Sequence, residues 1–421
     1  MTTETFQPES DLLRTLFERG YAYQITDEKG LDEYALSGVP VAYIGFDATA
    51  NSLHVGHMVS IMMLRRLQQA GGKPIVLMGG GTTKVGDPTD KEKSRPILTE
   101  EEIQSNIASI KSVFEKFLTF GDGPTDAVMV NNDDWLSEIK YIDFLREYGK
   151  LFTINKMITQ ETVKRRLENE QPYTFLEFNY ALLQAYDFLE LNRRYGCRLQ
   201  MGGSDQWGNI TNGTELCRRC EDVQAFGFTT PLITTASGAK MGKTVGGAVW
   251  LNADMKSPYD YWQFWRNTED ADVIRFMKLF TDMPLDEIAR YEAMTGKAIN
   301  DAKIALADAA TTLLHGADAT AEAKAAAEAV FAQGSVAEGM PSFDVPGSAV
   351  EGGYNVQDAF VASGLAKSKG EVKRHIKAGA AKLNGETITS DDTAITSADL
   401  DKDNTARLSI GKKRHARMVV V

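Results

Sequence analysis

Val41-Ala42-Tyr43-Ile44-Gly45-Phe46-Asp47, then His54-Val55-Gly56-His57 and the stretch Met58 to Ala70, is the passage whose reading decides the fold. The short apolar run reads as a buried strand, and the longer segment after it, stopped by Gly71-Gly72, reads as a helix. Two of the chain's 5 histidines sit at the junction. Three residues apart in a helix, their rings share one face. The start of a helix also offers unpaired N–H groups and partial positive charge, which favour phosphate. Gly56 between the rings leaves the backbone bare for the close approach of a flat base. Zinc is disfavoured, because no Glu follows the first His as in His-Glu-x-x-His and no third ligand lies nearby.

Outward from this passage, short apolar runs continue to alternate with helical periods, the pattern of a parallel sheet wrapped by helices. Candidate strands are Val41–Asp47, Pro74–Gly79, Ala127–Asn131, Arg198–Met201 and Ala248–Leu251. Thr99-Glu100-Glu101-Glu102 is a capping-box start for a helix, and Tyr173 to Tyr195 and Ser204 to Cys220 have helical periods. Ligands of such sheets bind beyond the carboxyl ends of the strands. From Ser257-Pro258 the chain turns helical, with segments Tyr259–Arg266, Ala271–Phe280, Leu285–Met294 and an Ala-rich pair from Ile299 to Phe331. The expected division is an α/β domain over 1–252, a helical domain over 253–333, a Gly-, Pro- and Ser-rich linker over 334–353, and a small compact unit over 354–421.

At 421 residues, with 43% hydrophobic and 25% charged residues, the chain has room for two or three domains and an ordinary core. No signal peptide or membrane-spanning run is evident, which makes the cytoplasm the expected compartment and excludes a membrane role. The 3 cysteines, Cys197, Cys217 and Cys220, lack the second pair or histidine that a zinc site needs, so no metal site is expected. A net charge of −12 argues against a protein that coats nucleic acid indiscriminately. The stretch from Lys367 to Val421 nevertheless holds 12 Lys and Arg against 7 Asp and Glu, a basic tail on an acidic body.

Two glycine-containing loops remain. Gly79-Gly80-Gly81-Thr82-Thr83-Lys84-Val85-Gly86-Asp87-Pro88 is no phosphate-binding P-loop, because Asp87-Pro88 stands where Lys-Ser/Thr belongs. Lys240-Met241-Gly242-Lys243-Thr244 comes closer, but the segment after it reads as strand rather than helix, so a lysine loop is the better description. Two lysines three apart can neutralise charge that builds up when pyrophosphate leaves. A P-loop ATPase built on Gly242-Lys243-Thr244 is the alternative, and it predicts release of free phosphate.

With both motifs in view, the chain resembles the bacterial-type tyrosyl-tRNA synthetases of class I. His54-Val55-Gly56-His57 is similar to the first signature of that class, usually His-Ile-Gly-His, and Lys240-Met241-Gly242-Lys243-Thr244 to its second, usually Lys-Met-Ser-Lys-Ser. Tyr43 to Ala50, Tyr180-Ala181-Leu182-Leu183-Gln184-Ala185-Tyr186-Asp187 and Gly202-Gly203-Ser204-Asp205-Gln206-Trp207-Gly208-Asn209 make the likeness specific for tyrosine. The resemblance implies a Rossmann-like catalytic domain with a connective insertion, a helical domain on the anticodon side and a C-terminal S-four-type RNA-binding domain. It implies ATP, L-tyrosine and tRNA(Tyr) as substrates, Mg²⁺ accompanying ATP, and a homodimer in contact around Lys140 to Thr174. Tryptophanyl-tRNA synthetases share the fold and both signatures, but Tyr43 with Asp187 and the tail argue against them. A non-catalytic RNA-binding helper on a synthetase body is opposed by the intact histidines and lysines.

The same resemblance assigns residues. Tyr43 and Asp187 would meet the phenolic hydroxyl of tyrosine, Tyr180, Gln184 and Asp87 its ammonium group, and Gln206 its carboxylate. Tyr180, Gln184 and Asp187 fall at i, i+4 and i+7, which independently puts all three on one helix face. Thr49 and His54 would lie toward the γ-phosphate, and His57 and Asp47 near the ribose, with Gly45 and Gly56 lining the ATP site. Lys91, or Lys93 beside it, and Arg95 would join Lys240, Lys243 and Thr244 on pyrophosphate. Asp90 departs from the family's usual Gly there, as Gly242 does from Ser. Lys369, Lys373, Arg374 and Lys377 would form the RNA-binding face of the tail.

Overall fold

Strand β2 (Val41–Phe46) lies at the centre of a six-stranded sheet because it is apolar on both faces, the composition that a parallel sheet covered by helices requires. The computed structural model describes residues 6–88, 98–238, 241–244, 247–332, 341–401, 404–411 and 414–421. The other strands of this sheet are β1 (Gln24–Ile25), β3 (Lys73–Met78), β4 (Val128–Asn131), β5 (Leu199–Gly203) and β6 (Phe226–Thr230). Their order is β1-β6-β5-β2-β3-β4, with every pairing parallel except that of β1 with β6. The chain winds outward in opposite directions from the β2–β5 pair, so a crevice opens between the carboxyl ends of those two strands.

Four of the expected strands recur with shifted ends. Over Ala248–Leu251, however, only Gly247–Ala248 is strand, paired with Lys243–Thr244. Strand β6 was not expected. Gly227 interrupts it, and a Cβ there would meet Ile210 at 2.4 Å. The glycine that looks like a breaker in sequence is what lets a helix side chain lie on the strand.

The chain forms two compact units, 1–255 with 268–309, and 256–267 with 310–421. In the first, helix α1 (Val55–Gln69) follows β2 and is buried on most sides by Val55, Met58, Val59, Ile61, Met62, Met63, Leu64 and Leu67. Each such side chain contributes roughly 1.5–3 kcal/mol. Helix α2 (Glu100–Phe114) begins with the expected capping box of Thr99 and Glu102. Helix α3 (Phe175–Tyr195) begins with a capping box of Thr174 and Glu177 and ends at Gly196 in the left-handed region, φ +65°. Helix α4 (Trp207–Glu221) packs along α3, and helix α5 (Val273–Phe280) follows a short turn at Asp270–Asp272.

In the second unit, Pro258–Arg266 starts as expected with Ser257 as N-cap and proline in the first turn. Its five-stranded sheet runs Glu386–Thr387, Ala381–Leu383, Thr405–Ile410, Arg414–Val420, Ser342–Val345. Helix α6 (Lys369–Lys377) lays Val372 and Ile376 into the core beneath it. Asn384 and Gly385, both at positive φ, turn the first hairpin. The stretch expected as a linker over 334–353 is not one where the structure describes it. Ser342–Val345 pairs in parallel with Arg417–Val420, and Gly347–Glu351 is a short helix. Two apolar residues in alternation, paired with a strand far along the chain, gave too weak a local signal. Among the described residues, no helix is long and apolar enough to cross a membrane. All three cysteines are free thiols, Cys197 and Cys217 buried.

Candidate active site

The crevice beyond β2 and β5 is a cavity of about 390 Å³, entered by residues from the ends of β2, β3, β5 and β6, the start of α1 and one face of α3. Tyr43, Gly45, Asp47, Thr49, His54, Gly56, His57, Asp87, Tyr180, Gln184, Asp187 and Gln206 all line it. Lys91, Arg95 and Lys240 lie outside the described residues. For Lys243 and Thr244 the backbone is described, as the two-residue strand already noted.

The histidine pair is arranged differently from two helical side chains on one face. His54 is the N-cap of α1, with extended backbone (φ −117°, ψ 169°), and its Nδ1 accepts from Gly56 N at 3.0 Å. His57 Nδ1 reaches back to accept from His54 N at 3.2 Å. The rings stack with centroids 3.9 Å apart. In this reciprocal cap both Nδ1 atoms are acceptors, so each neutral ring carries its proton on Nε2, a donor suited to phosphate or ribose oxygen.

The two signature motifs meet through bare backbone. Val55 N donates to Val249 O at 2.9 Å, and Val249 N to Gly242 O at 3.1 Å. A Cβ on Gly56 would meet the His54 ring at 2.7 Å and Met241 O at 3.0 Å; one on Gly242, at φ +85°, would meet Gly56 N at 2.6 Å. Both positions therefore require glycine for this contact.

At the other end of the cavity, Asp187 is 2% exposed and both its oxygens are held. Trp135 Nε1 donates to Oδ1 at 2.8 Å and Asn132 Nδ2 to Oδ2 at 3.0 Å. Burial pushes its pKa up to about 7, against the pull of those two donors, with Asp47 and Glu190 adding repulsion. Tyr43, 1% exposed and edge-on to Phe188, has its hydroxyl buried without a hydrogen-bond partner among the described residues. Burial, with Asp187 next in effect, holds that phenol well above its ordinary pKa, so it is neutral.

Between the two ends runs a polar chain. Gln184 Nε2 donates to Gln206 Oε1 at 3.3 Å, and Gln206 Nε2 to Asp87 Oδ2 at 3.1 Å. Gln184 Oε1 is buried and has no hydrogen-bond partner among the described residues. A buried acceptor and a buried hydroxyl left unsatisfied in one cavity are sites for a ligand that supplies the missing bonds.

Asn132 and Trp135, which fix Asp187, went unnoticed in the sequence. The signal was available in Asn131-Asn132-Asp133-Asp134-Trp135, a polar cluster at the carboxyl end of a parallel strand. Gln200 and Thr230 also line the cavity and have buried oxygens without a partner among the described residues; Thr230 was missed with its strand β6, whereas Gln200, on the expected strand β5, is a lone polar residue in an apolar run. Among the described residues, no cluster of three His, Cys, Asp or Glu is placed to hold a metal.

Comparison with known proteins shows the family. The family model described as tRNA synthetases class I (W and Y) matches residues 37–332, and that described as tyrosine–tRNA ligase SYY-like C-terminal domain matches 332–418. A tyrosine–tRNA ligase of Caulobacter sp. (strain K31) is 60% identical over 405 residues, 96% of each chain. That of Xanthobacter autotrophicus is 58% identical over 415 residues, 99% of each. Among solved structures, the C-terminally truncated mitochondrial tyrosyl-tRNA synthetase of Aspergillus nidulans superimposes with a TM-score of 0.68 at 30% identity, over 76% of this chain and 94% of that one.

Proposed function

Since the chain belongs to the class I tRNA synthetases for tryptophan and tyrosine, we propose that the cavity beyond β2 and β5 is where it activates L-tyrosine with ATP. The reaction is that of a tyrosine–tRNA ligase: tyrosine and ATP give tyrosyl-adenylate and pyrophosphate, and the tyrosyl group then passes to the terminal adenosine of tRNA(Tyr). The observation that most supports the pocket assignment is the pair of unsatisfied oxygens, Tyr43 Oη and Gln184 Oε1.

In this reading the phenolic hydroxyl of tyrosine lies between Tyr43 and Asp187, donating to the carboxylate and accepting from Tyr43. Its ammonium donates to Gln184 Oε1, Asp87 and Tyr180, while Gln206 orients the carboxylate. Phenylalanine would leave the buried Tyr43 hydroxyl without a partner and Asp187 one hydrogen bond short, which discriminates against it. Thr49, His54 and His57 face the triphosphate and ribose from the positive end of α1, beside Gly45, Asp47 and Gly56.

A tyrosine carboxylate oxygen attacks the α-phosphorus in line. The bond to the bridging oxygen breaks, and pyrophosphate leaves with the electron pair. No protein nucleophile or proton transfer is needed, so positioning and charge stabilisation do the catalysis. Lys91, Arg95, Lys240 and Lys243 neutralise the leaving group, and the Thr244 hydroxyl donates a hydrogen bond to it. Mg²⁺ enters as the ATP complex, held by phosphate oxygens rather than by a protein cage. Lys369, Lys373, Arg374 and Lys377 carry the RNA-binding face, and the enzyme works in the cytoplasm as a homodimer.

Tyrosine-dependent exchange of labelled pyrophosphate into ATP tests this assignment. Lys243→Ala is expected to lower exchange by about 100-fold or more, the loss typical of one well-aimed donor, with the fold intact. Tyr43→Phe is expected to raise KM for tyrosine. Unchanged kinetics in both variants would remove the cavity from the reaction.

A further inference from the structure

The segment that leads into the lysine loop is tied to a second element, the stretch Glu269 to Arg275. Asp272, 3% exposed, accepts from Ala236 N at 2.7 Å through Oδ2 and pairs with Arg275 at 2.6 Å through Oδ1. Arg275 also donates to Thr234 O. One turn back, Ser237 Oγ donates to Glu269 Oε1 at 2.6 Å. Thr234 to Ser237 is thus held by three side chains from a single short stretch, Glu269 to Arg275. That stretch is itself pinned, through an ion pair of Asp270 with Lys303.

Immediately downstream, Gly238 N donates to Thr235 O at 2.8 Å and Met241 N to Ile233 O at 2.9 Å, while Met241 and Gly242 lie against Gly56. The opposite end of α5 is fixed to the histidine helix. Arg66 of α1 donates to Asp282 at 2.7 Å and to Thr281 O at 2.5 Å. Arg19 donates to the carbonyls of Lys278 at 3.0 Å, Thr281 at 3.2 Å and Met283 at 2.7 Å. One eight-residue helix therefore has the lysine-loop limb at its start and the far end of the histidine helix at its finish.

We propose that Glu269, Asp272 and Arg275 are positioning residues for adenylate formation, setting where Thr234 to Ser237, the limb that leads in sequence to Lys240 and Lys243, stands relative to His54. The inference rests on the proposed role of those lysines at the leaving pyrophosphate. Buried carboxylate-to-backbone bonds are stronger than neutral ones, and an error of about 1 Å in a catalytic group is enough to cost up to about 100-fold. None of the three residues lines the substrate cavity, so tyrosine binding does not depend on them.

The test uses the full-length enzyme in the exchange assay. Asp272→Asn and the surface double variant Ser237→Ala/Glu269→Gln are expected to lower kcat by about tenfold or more with KM for tyrosine unchanged, and the surface double variant to leave the melting midpoint unchanged as well. Ser237→Thr, which keeps the hydroxyl, is expected to retain kcat. Wild-type kcat in the variants overturns the proposal, as does a parallel loss of kcat, tyrosine affinity and melting midpoint, which would make these ordinary folding contacts. Lys243→Ala separates the two readings. If that variant exchanges normally, the lysine role fails and the proposal with it; if it is inactive while the Asp272 and Ser237 variants are normal, the positioning role alone fails.

Discussion

Asp187 is a carboxyl group kept close to neutrality by its surroundings, and the consequence can be measured in two ways. With its pKa pushed up to about 7, an unoccupied site holds a substantial fraction of protonated Asp187 at physiological pH. Only the carboxylate accepts the phenolic hydrogen bond in the proposed pose. The value of kcat/KM for tyrosine is therefore expected to rise with pH through about 7 and then level off, and Asp187→Asn to lose that rise along with most tyrosine affinity. The stability effect has the opposite sign. Between its ordinary value of 3.8 and about 7 the folded chain holds a proton that the unfolded chain has released, so folding stability falls as pH rises across that window. Asp187→Asn, neutral throughout, should gain melting temperature relative to wild type between pH 5 and pH 8, as a thermal scan at each pH would reveal. A constant difference would show that the carboxyl is ionised like an ordinary surface aspartate.

At the scale of elements, α3 delivers Tyr180, Gln184 and Asp187 to the cavity, and its first turn is built unusually firmly. Glu177 closes the capping box on Thr174 and also receives a bond from Arg166 at 2.7 Å, with the Arg166 and Glu177 side chains 2% and 6% exposed. Removing one partner of a buried pair strands the other, so Glu177→Ala is expected to lower stability by about 3–5 kcal/mol in denaturant unfolding. Glu177→Gln, which keeps most of the geometry, should lose less. If neither changes stability, the pair is hydrated rather than buried. Sequence reading placed α3 and its three polar residues well because the i, i+4, i+7 pattern is local. It placed β2, β3 and β4 for the same reason. It went wrong where structure depends on distant partners: β6 is held together by β5 and by Ile210 packed on Gly227, and Ser342–Val345 by a strand at the chain's far end. The histidines were found but misoriented, since spacing alone does not show that His54 caps the helix instead of belonging to it.

For the whole molecule, two surfaces among the described residues bear on what the chain would bind. Seven of the thirteen large hydrophobic residues exposed among those described fall between Tyr141 and Leu176, with Phe175 67% and Ile142 62% exposed. Five of the seven fall within Lys140 to Thr174, the stretch proposed for the homodimer contact, and burying such side chains is what that contact would accomplish. Phe175→Asp is expected to shift the enzyme toward monomer in sedimentation equilibrium; an unchanged dimer would move the interface elsewhere. The second surface is the basic side of α6, opposite the buried Val372 and Ile376. Lys369 and Lys373 are paired there with Asp358 at 2.6 Å and Asp391 at 2.8 Å, whereas Arg374 and Lys377 are exposed and have no ion-pair partner among the described residues. A phosphate reaching Lys369 or Lys373 must compete with a carboxylate, and one reaching Arg374 or Lys377 need not. Arg374→Glu/Lys377→Glu is therefore expected to raise KM for tRNA more than Lys369→Glu/Lys373→Glu does, and to reduce the salt slope of tRNA binding by about 1 per lost phosphate contact. Pyrophosphate exchange, which needs no tRNA, should be unchanged in both variants. Equal effects of the two pairs would mean that the local carboxylates do not tune the surface, and an unaltered KM for tRNA would place the RNA on another face of this unit.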